Sequence, residues 1–103
     1  MASFQRRYTR ASLQERAVLF FGKDSEVSET IQVSEGGLLV YTTLRLAPGD
    51  ALTVHFSVNG NYLRARADVI YVLPPDAENR AKIGLRFQSL FDEYRSAIRE
   101  FVI

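Results

Sequence analysis

The sequence predicts a mostly β fold, a six-stranded antiparallel β-barrel with a C-terminal amphipathic helix. Between residues 16 and 88, short runs of β-like composition are separated by turn residues, and the last residues change to the three- and four-residue spacing of a helix. With 103 residues, 47% of them hydrophobic and 24% charged, the chain has the size and composition of one domain with one core. Closure into a barrel is expected because it removes the exposed edges of the sheet.

Six runs have the character of strands. The first, residues 16–21, ends at Gly22 and is followed by a charged loop. The turn Ser34 to Gly37 precedes the third run, and its two adjacent glycines permit a positive φ or a close approach by a ligand. Asn59 and Gly60 favour a tight hairpin between the fourth and fifth runs. The other predicted strands span residues 29–33, 38–43, 52–58, 62–73 and 81–87.

Alternation within these runs predicts which side chains face the core. From Leu52 to Val58 every second residue is apolar, which is typical of a half-buried strand. The same alternation begins at Leu63 in the next run and extends to Tyr71, which is therefore expected to face the core. The last strand is expected to place Ile83, Leu85 and Phe87 inward and Lys82, Gly84 and Arg86 outward.

After the last strand, apolar residues recur at helical spacing. Ser89 and Asp92 are placed like an N-cap and its capping-box partner, so the helix is predicted over residues 89–103, with its apolar face over one mouth of the barrel. The chain then forms a single domain, 1–103, with a flexible N-terminal arm (1–15), the barrel (16–88) and the helix. The apolar helix positions are Leu90, Tyr94, Ala97, Ile98 and Phe101.

Composition excludes several classes of function. With no cysteine and a single histidine, His55, the chain is not expected to form disulfides, a thiolate catalyst or a typical metal site. No serine, histidine and carboxylate set and no glycine-rich phosphate loop followed by lysine is apparent, so we expect a binding protein without a cofactor rather than an enzyme. No apolar run reaches about 18 residues and the N-terminus is too polar for a signal peptide, so a cytoplasmic protein without membrane insertion is expected.

Charge is distributed unevenly along the chain. Residues 1–16 contain four arginines and one glutamate, a net charge of +3, whereas residues 17–35 contain one lysine and four carboxylates. Nucleic acid is therefore an unlikely partner, because generic binding needs many phosphate contacts over one face. A small anionic ligand is compatible with this layout. Single-stranded RNA stacked on Tyr41, Phe20 and Phe21 is a minor alternative.

Two short stretches carry the ligand-binding prediction. The spacing Arg6-x-x-x-Arg10 before the strands, and Gln32-Val33-Ser34-Glu35-Gly36-Gly37 after the second strand, resemble the signatures of the bacterial PilZ domain family. Those signatures read Arg-x-x-x-Arg and then Asp or Asn-x-Ser-x-x-Gly. The order of the strands and the final helix also resemble the family's layout. The chain matches the signatures at Arg6, Arg10, Ser34 and Gly37 and departs from them at Gln32.

The resemblance implies a receptor for cyclic di-GMP. Arg6 and Arg10 would clamp the ligand, because a guanidinium pairs bidentately with the N7 and O6 acceptors of guanine, bridges to phosphate and stacks on a purine. Arg7 lies within the first motif and would lie near phosphate. Gln32, Ser34, Gly36 and Gly37 would complete the site, with Arg86 near the ligand if its strand flanks the pocket. The arm would order on binding and so alter contacts with an unidentified effector protein, in a stand-alone adaptor of the bacterial cytoplasm.

Gln32 keeps a second hypothesis open. Its amide is one methylene longer than that of asparagine and lacks the charge of aspartate, which weakens binding by about 1 to 2 kcal/mol if a charge-assisted bond to guanine is lost. The main rival function is therefore a PilZ-like protein-interaction module that no longer binds nucleotide.

Overall fold

The computed structural model describes residues 8–103. Arg6 and Arg7 lie outside this described part, so the predictions made for them have no structural counterpart. The chain forms β1 (Ala11–Ser12), β2 (Arg16–Phe21), β3 (Asp24–Ser34), β4 (Gly37–Thr42), β5 (Ala51–Val58), β6 (Asn61–Val72), β7 (Ala81–Phe87) and α1 (Asp92–Val102).

Six of the strands close into an antiparallel barrel, as the sequence predicts. The hydrogen-bonded order is β3-β2-β5-β6-β7-β4, and pairing of β4 with β3 closes the ring. The seventh strand, β1, is only two residues long and pairs antiparallel with β3, with Ala11 opposite Val33 and Ser12 opposite Gln32. The part of the predicted arm that begins at Ala11 is thus held against the second half of β3.

The core follows the predicted alternation most closely in β5. Its inward residues, from Leu52 to Val58, are at most 1% exposed, and the Phe56 ring stacks on that of Phe87 with centroids 5.8 Å apart. Ile98 of α1 is fully buried in the same core, and α1 contacts both β3 and β5, so the helix covers one end of the barrel. Burial of a side chain the size of Ile98 contributes about 2 kcal/mol. Residues 8–103 contain no helix that is long and apolar enough to cross a membrane.

The start of the helix differs from the prediction. The helix begins at Asp92 and its N-cap is Phe91, which makes no side-chain capping hydrogen bond, so the predicted capping box of Ser89 and Asp92 is wrong. The reason is that the chain is still attached to the sheet at Gln88, whose N–H donates to the Arg66 carbonyl at 2.9 Å. Carboxylates in the first turn stabilise the helix dipole instead.

The second strand is longer than predicted. β3 begins at Asp24, not at residue 29, because Gly22 has a φ of +61° and makes a tight turn that leads β2 directly back into β3. The predicted charged loop is therefore part of a hairpin. In this part of β3 the inward residues are Ser28 and Thr30, which are both buried. Because their side chains carry hydroxyl groups, the sequence shows no alternation of apolar and polar residues here. These hydroxyls are satisfied by Thr42 and by backbone carbonyls.

Bulges in β3 and β6 shift the alternation of both strands. In β6 the register passes from Val69 opposite Leu85 to Tyr71 opposite Gly84, so Tyr71 lies on the outer surface, 40% exposed, and the expectation that it faces the core is wrong. In β3 the corresponding shift lies between Thr30 and Gln32. Both bulges change which side chains of their strands face outward.

Candidate functional site

The outer surface of the barrel carries a cleft of about 540 Å³ beside the Ser34–Gly37 turn. Its walls are the N-terminal segment around Tyr8 and Arg10, the turn itself, and the ends of β6 and β7. Ligand pockets of this kind typically measure about 300 to 1,000 Å³. The cleft therefore has the size of a small-molecule site.

Strand register brings the two sequence motifs together at this cleft. Because Ala11 lies opposite Val33, continuing the antiparallel ladder by one residue places Arg10 beside Ser34. Both residues line the cleft. The short strand β1 thus positions the second arginine of the first motif next to the serine of the second motif.

The floor of the cleft is a row of four residues on neighbouring strands. The registers pair Gln32 with Leu39, Leu39 with Gly84, and Gly84 with Tyr71. A Cβ on Gly84 would collide with the Tyr71 ring, so the aromatic ring lies directly over the glycine. This glycine makes room for an aromatic surface between the turn and the bulge of β6.

Ser34 organises the turn through its hydroxyl. Its Oγ accepts hydrogen bonds from the N–H groups of Gly36 at 3.1 Å and Gly37 at 3.2 Å, and the Gly36 carbonyl accepts the N–H of Phe87 at 2.9 Å. The two glycine N–H groups are therefore already paired within the protein. A hydroxyl that accepts two bonds still has its own proton to donate, so Ser34 can offer a donor to a ligand acceptor.

The two glycines of the turn allow close approach rather than an unusual backbone conformation. Neither has a positive φ. A Cβ on Gly37 would overlap the Leu85 carbonyl oxygen, and a Cβ on Gly36 would come within 2.7 Å of the Tyr8 ring. Gly37 lets β4 lie against β7, and Gly36 lets the N-terminal segment pack on the turn.

Glu35 ties the turn to the helix. Its carboxylate accepts bonds from Nη2 and Nε of Arg99 at 2.9 and 3.2 Å and lies 3.9 Å from Nη1 of Arg95. The hydrogen bond from Arg99 holds the pKa of Glu35 below its usual value, although burial opposes this shift, and the same bond raises the pKa of Arg99. This ion pair therefore connects the turn to α1.

The cleft is rich in cations. Arg10, Arg86 and Arg95 line it, and Arg95 also approaches Glu35. Arg86 pairs only loosely with Asp68, at 3.7 Å, and Arg10 belongs to none of the four ion pairs found in residues 8–103. This arrangement favours an anionic ligand over a neutral one. No cluster of side chains that could hold a metal ion occurs in the part of the chain described by the structure.

The structure assembles five of the seven predicted site residues along one cleft: Arg10, Gln32, Ser34, Gly36 and Gly37. Arg6 and Arg7 precede the described residues. Sequence reasoning missed Tyr71 and Ile70, because the bulge that turns them outward leaves no simple signature. The glycine at position 84, in the middle of an apolar strand, is the available signal, since such a glycine often marks close approach by another group.

Comparison with known proteins gives consistent results. A family model described as "PilZ domain" matches residues 4–103. The fold is similar to that of the Bacillus subtilis inhibitor of motility, MotI/DgrA, with a TM-score of 0.81 and 14% identity over 96% of this chain; the chain spans about half the length of that protein, 49%. The PilZ domain with c-di-GMP of YcgR from Escherichia coli gives a TM-score of 0.76 and 14% identity, covering 96% of this chain and 89% of the other. Comparison with curated sequences gives no significant match.

Proposed function

Since the chain belongs to the PilZ domain family, we propose that it is a receptor for cyclic di-GMP that binds this ligand in the cleft beside the Ser34–Gly37 turn. The observation that carries the proposal is the register of β1 with β3, which sets Arg10 next to Ser34 in a cation-rich cleft. PilZ domains are binding and adaptor modules, and we propose an adaptor role without catalysis for this chain as well.

The chemistry of the cleft suits a ligand with two phosphates and two guanines. The guanidinium groups of Arg10 and Arg86 can pair with phosphate oxygens or with the N7 and O6 edge of guanine. The hydroxyl proton of Ser34 adds a neutral donor, and the Tyr71 ring gives the floor an aromatic surface that fits a purine. Arg6 and Arg7 would close over the ligand from the N-terminal side.

Binding would be transmitted by the groups that surround the cleft. Ligand held between Arg10 and the turn would order the N-terminal segment. Its contacts with the turn would also act on the ion pair between Glu35 of the turn and Arg99 of the helix. The changed surface would then be recognised by an effector protein, in the bacterial cytoplasm. This is the kind of order-dependent switch that a small domain can use without an enzymatic step.

Calorimetric titration with cyclic di-GMP, with GMP as the control ligand, tests the proposal. We expect saturable heat with cyclic di-GMP. The dissociation constant of Arg10→Ala should be at least tenfold higher, since a hydrogen bond to a charged group contributes about 1.5 to 3 kcal/mol. Arg45→Ala is the matched control, because Arg45 is exposed and does not line the cleft. Absence of heat up to high micromolar ligand contradicts the proposal.

Gln32 favours one second candidate, a PilZ-like interaction module that no longer binds nucleotide. Gln32 lines the cleft where the family signature has aspartate or asparagine. Gln32→Asp separates the two candidates, because a restored carboxylate should tighten cyclic di-GMP binding about tenfold in a receptor. If neither the native chain nor Gln32→Asp binds, the interaction module is the better description.

The RNA-binding alternative has less support. The Arg80 guanidinium lies over the Tyr41 ring at 4.0 Å, Phe21 packs against the core, and the Phe20 ring contacts His55. The three aromatic residues considered for base stacking therefore do not form a joint platform. A gel shift with single-stranded RNA, in which a steep dependence on salt would indicate phosphate contacts, tests this alternative.

A further inference from the structure

A second surface lies across the barrel from the cleft. In the closed ring, β5 is three strands from β4 in either direction, so the outer side of β5 is opposite the turn that forms the cleft. Register aligns Val18, His55 and Arg64 in one row across β2, β5 and β6. We call this surface the arginine–aromatic face; its outward residues are Arg16, Val18, Phe20, Thr53, His55, Tyr62, Arg64 and Arg66.

Aromatic side chains on this face are exposed yet held in place. Phe20 is 39% exposed and Tyr62 is 64% exposed. Between them, His55 lies 4.7 Å from the Phe20 ring centroid and its Nδ1 is 2.6 Å from the Tyr62 hydroxyl. Val27, 63% exposed, extends the apolar area beside Val18. Such side chains lose little conformational freedom on contact, and aromatic residues with arginine are enriched in the energetically dominant parts of protein interfaces.

The eight residues of the face include three arginines and no carboxylate, and Arg66 donates only to the Thr53 hydroxyl, at 3.1 Å. Two carboxylates lie at its border: Glu29 of β3 is directly opposite Arg16, and Asp68 of β6 is two residues from Arg66. The neighbouring carboxylates on the flanking positions are already engaged: Glu29 pairs with Arg80 at 3.4 Å, and Asp68 pairs with Arg86 and accepts a bond from Gln88. The face is therefore complementary to a surface that supplies carboxylates.

We propose that the arginine–aromatic face docks an acidic segment of a partner protein in which carboxylates alternate with apolar side chains. The carboxylates would pair with Arg64, Arg66 and Arg16, and the apolar side chains would cover Val18 and the exposed rings. The proposal goes beyond nucleotide binding and does not depend on it, because the face shares no residue with the cleft.

Protein is favoured over nucleic acid by the arrangement of the rings. The Phe20 and His55 rings are inclined at 55°, and those of His55 and Tyr62 at 89°, so they do not present the parallel faces on which successive bases stack. Three arginines are also few for a phosphate-binding surface, and the two valines offer an apolar contact that phosphates do not use.

The test uses the full chain, without nucleotide, and a fluorescein-labelled peptide in which glutamates alternate with leucines. Fluorescence anisotropy measures binding, and ¹⁵N chemical shifts locate it. We expect shifts at Phe20, His55 and Arg64, and roughly tenfold weaker binding by the double variant Arg64→Glu, Arg66→Glu, because each reversal turns an attraction into a repulsion. Lys82→Glu, an exposed reversal on β7, is the matched control and should bind like the native chain.

Four outcomes overturn the proposal: no binding of the glutamate peptide, equal binding of a peptide with lysine in place of glutamate, shifts that map to the cleft, and binding of single-stranded oligouridylate at this face instead of the peptide. Cyclic di-GMP titration of the double variant keeps the two proposals apart. Nucleotide affinity should be unchanged by substitutions on the arginine–aromatic face, whichever result the peptide gives.

Discussion

Removal of the Thr30 hydroxyl tests how the N-terminal segment is attached to the barrel. Thr30 is 1% exposed, and its Oγ1 lies 2.9 Å from the Leu13 carbonyl and 3.1 Å from both the Glu15 carbonyl and the Glu15 N–H. The hydroxyl proton of Thr30 is shared between the carbonyl oxygens of Leu13 and Glu15, and Oγ1 accepts the hydrogen bond from the Glu15 N–H. Thr30→Val keeps the shape of the side chain and deletes these bonds.

The expected cost is about 2 kcal/mol. A net hydrogen bond contributes about 0.5 to 1.5 kcal/mol, and a buried backbone group left without a partner costs about 1 to 3 kcal/mol. The backbone bonds from Leu13 N–H to Ile31 and from Thr30 N–H to Glu15 remain, which limits the loss. Urea unfolding followed by far-ultraviolet circular dichroism measures the change in the free energy of unfolding.

Thr43→Val is the control for this measurement. The Thr43 hydroxyl donates to the Glu26 carboxylate at 2.9 Å on the exposed surface, so its loss should cost less than about 0.5 kcal/mol. Equal destabilisation by Thr30→Val and Thr43→Val would mean that the buried hydroxyl does not hold the segment. If cyclic di-GMP binds as proposed, Thr30→Val should also weaken its binding, by the factor by which it lowers the fraction of molecules with the segment attached.

Three further predictions concern the turn and the helix. Gly37→Ala should unfold the domain or cost at least about 3 kcal/mol in urea titration, since a Cβ meets the Leu85 carbonyl; a loss below about 1 kcal/mol would contradict the tight β4–β7 contact. Glu35→Gln should flatten the pH dependence of stability in acid: the folded-state pKa of Glu35 is lowered from its usual 4.5, so the carboxylate stabilises the fold above that pH and this stabilisation disappears as the pH falls through the lowered pKa. An unchanged pH profile would show that the pair with Arg99 is not formed in solution. Ile98→Ala should cost about 2 to 5 kcal/mol in thermal or urea unfolding, because it opens a cavity under the helix; a near-neutral effect would mean that α1 is detached.

Strands can be recognised from the sequence when their inward positions carry apolar side chains. β5 and β7 were predicted well because their inward residues, such as Val54 and Ile83, are apolar and alternate regularly. The first part of β3, residues 24–28, was missed because its buried residue is Ser28, whose hydroxyl is satisfied inside the barrel but looks like a loop residue in the sequence, whereas Val27 is exposed. The sequence around a residue does not reveal a hydrogen-bond partner that lies on another strand.

The residues of the candidate site likewise fall into two groups, those that the sequence reveals and those whose position depends on the assembled sheet. Arg10, Gln32 and Ser34 were found because they belong to short motifs with regular spacing. Tyr71 was assigned to the core because the bulge that reverses its direction is set by pairing with β7, which is a property of the assembled sheet. The start of the helix was misplaced for a related reason, since Gln88 still bonds to β6.

The shortness of β1 has a consequence for any ligand of the cleft. The ladder between β1 and β3 has only two residue pairs, so we expect local opening, in which the N-terminal segment passes from a form attached to β3 to a released form, to cost less free energy than unfolding of the barrel. A ligand that needs Arg10 beside Ser34 binds only the attached form. Its apparent dissociation constant is then the intrinsic value divided by the attached fraction, so a tenfold drop in that fraction raises the apparent constant tenfold. Sequence changes at residues 13–15, which do not line the cleft, can thereby set the ligand concentration at which the protein responds.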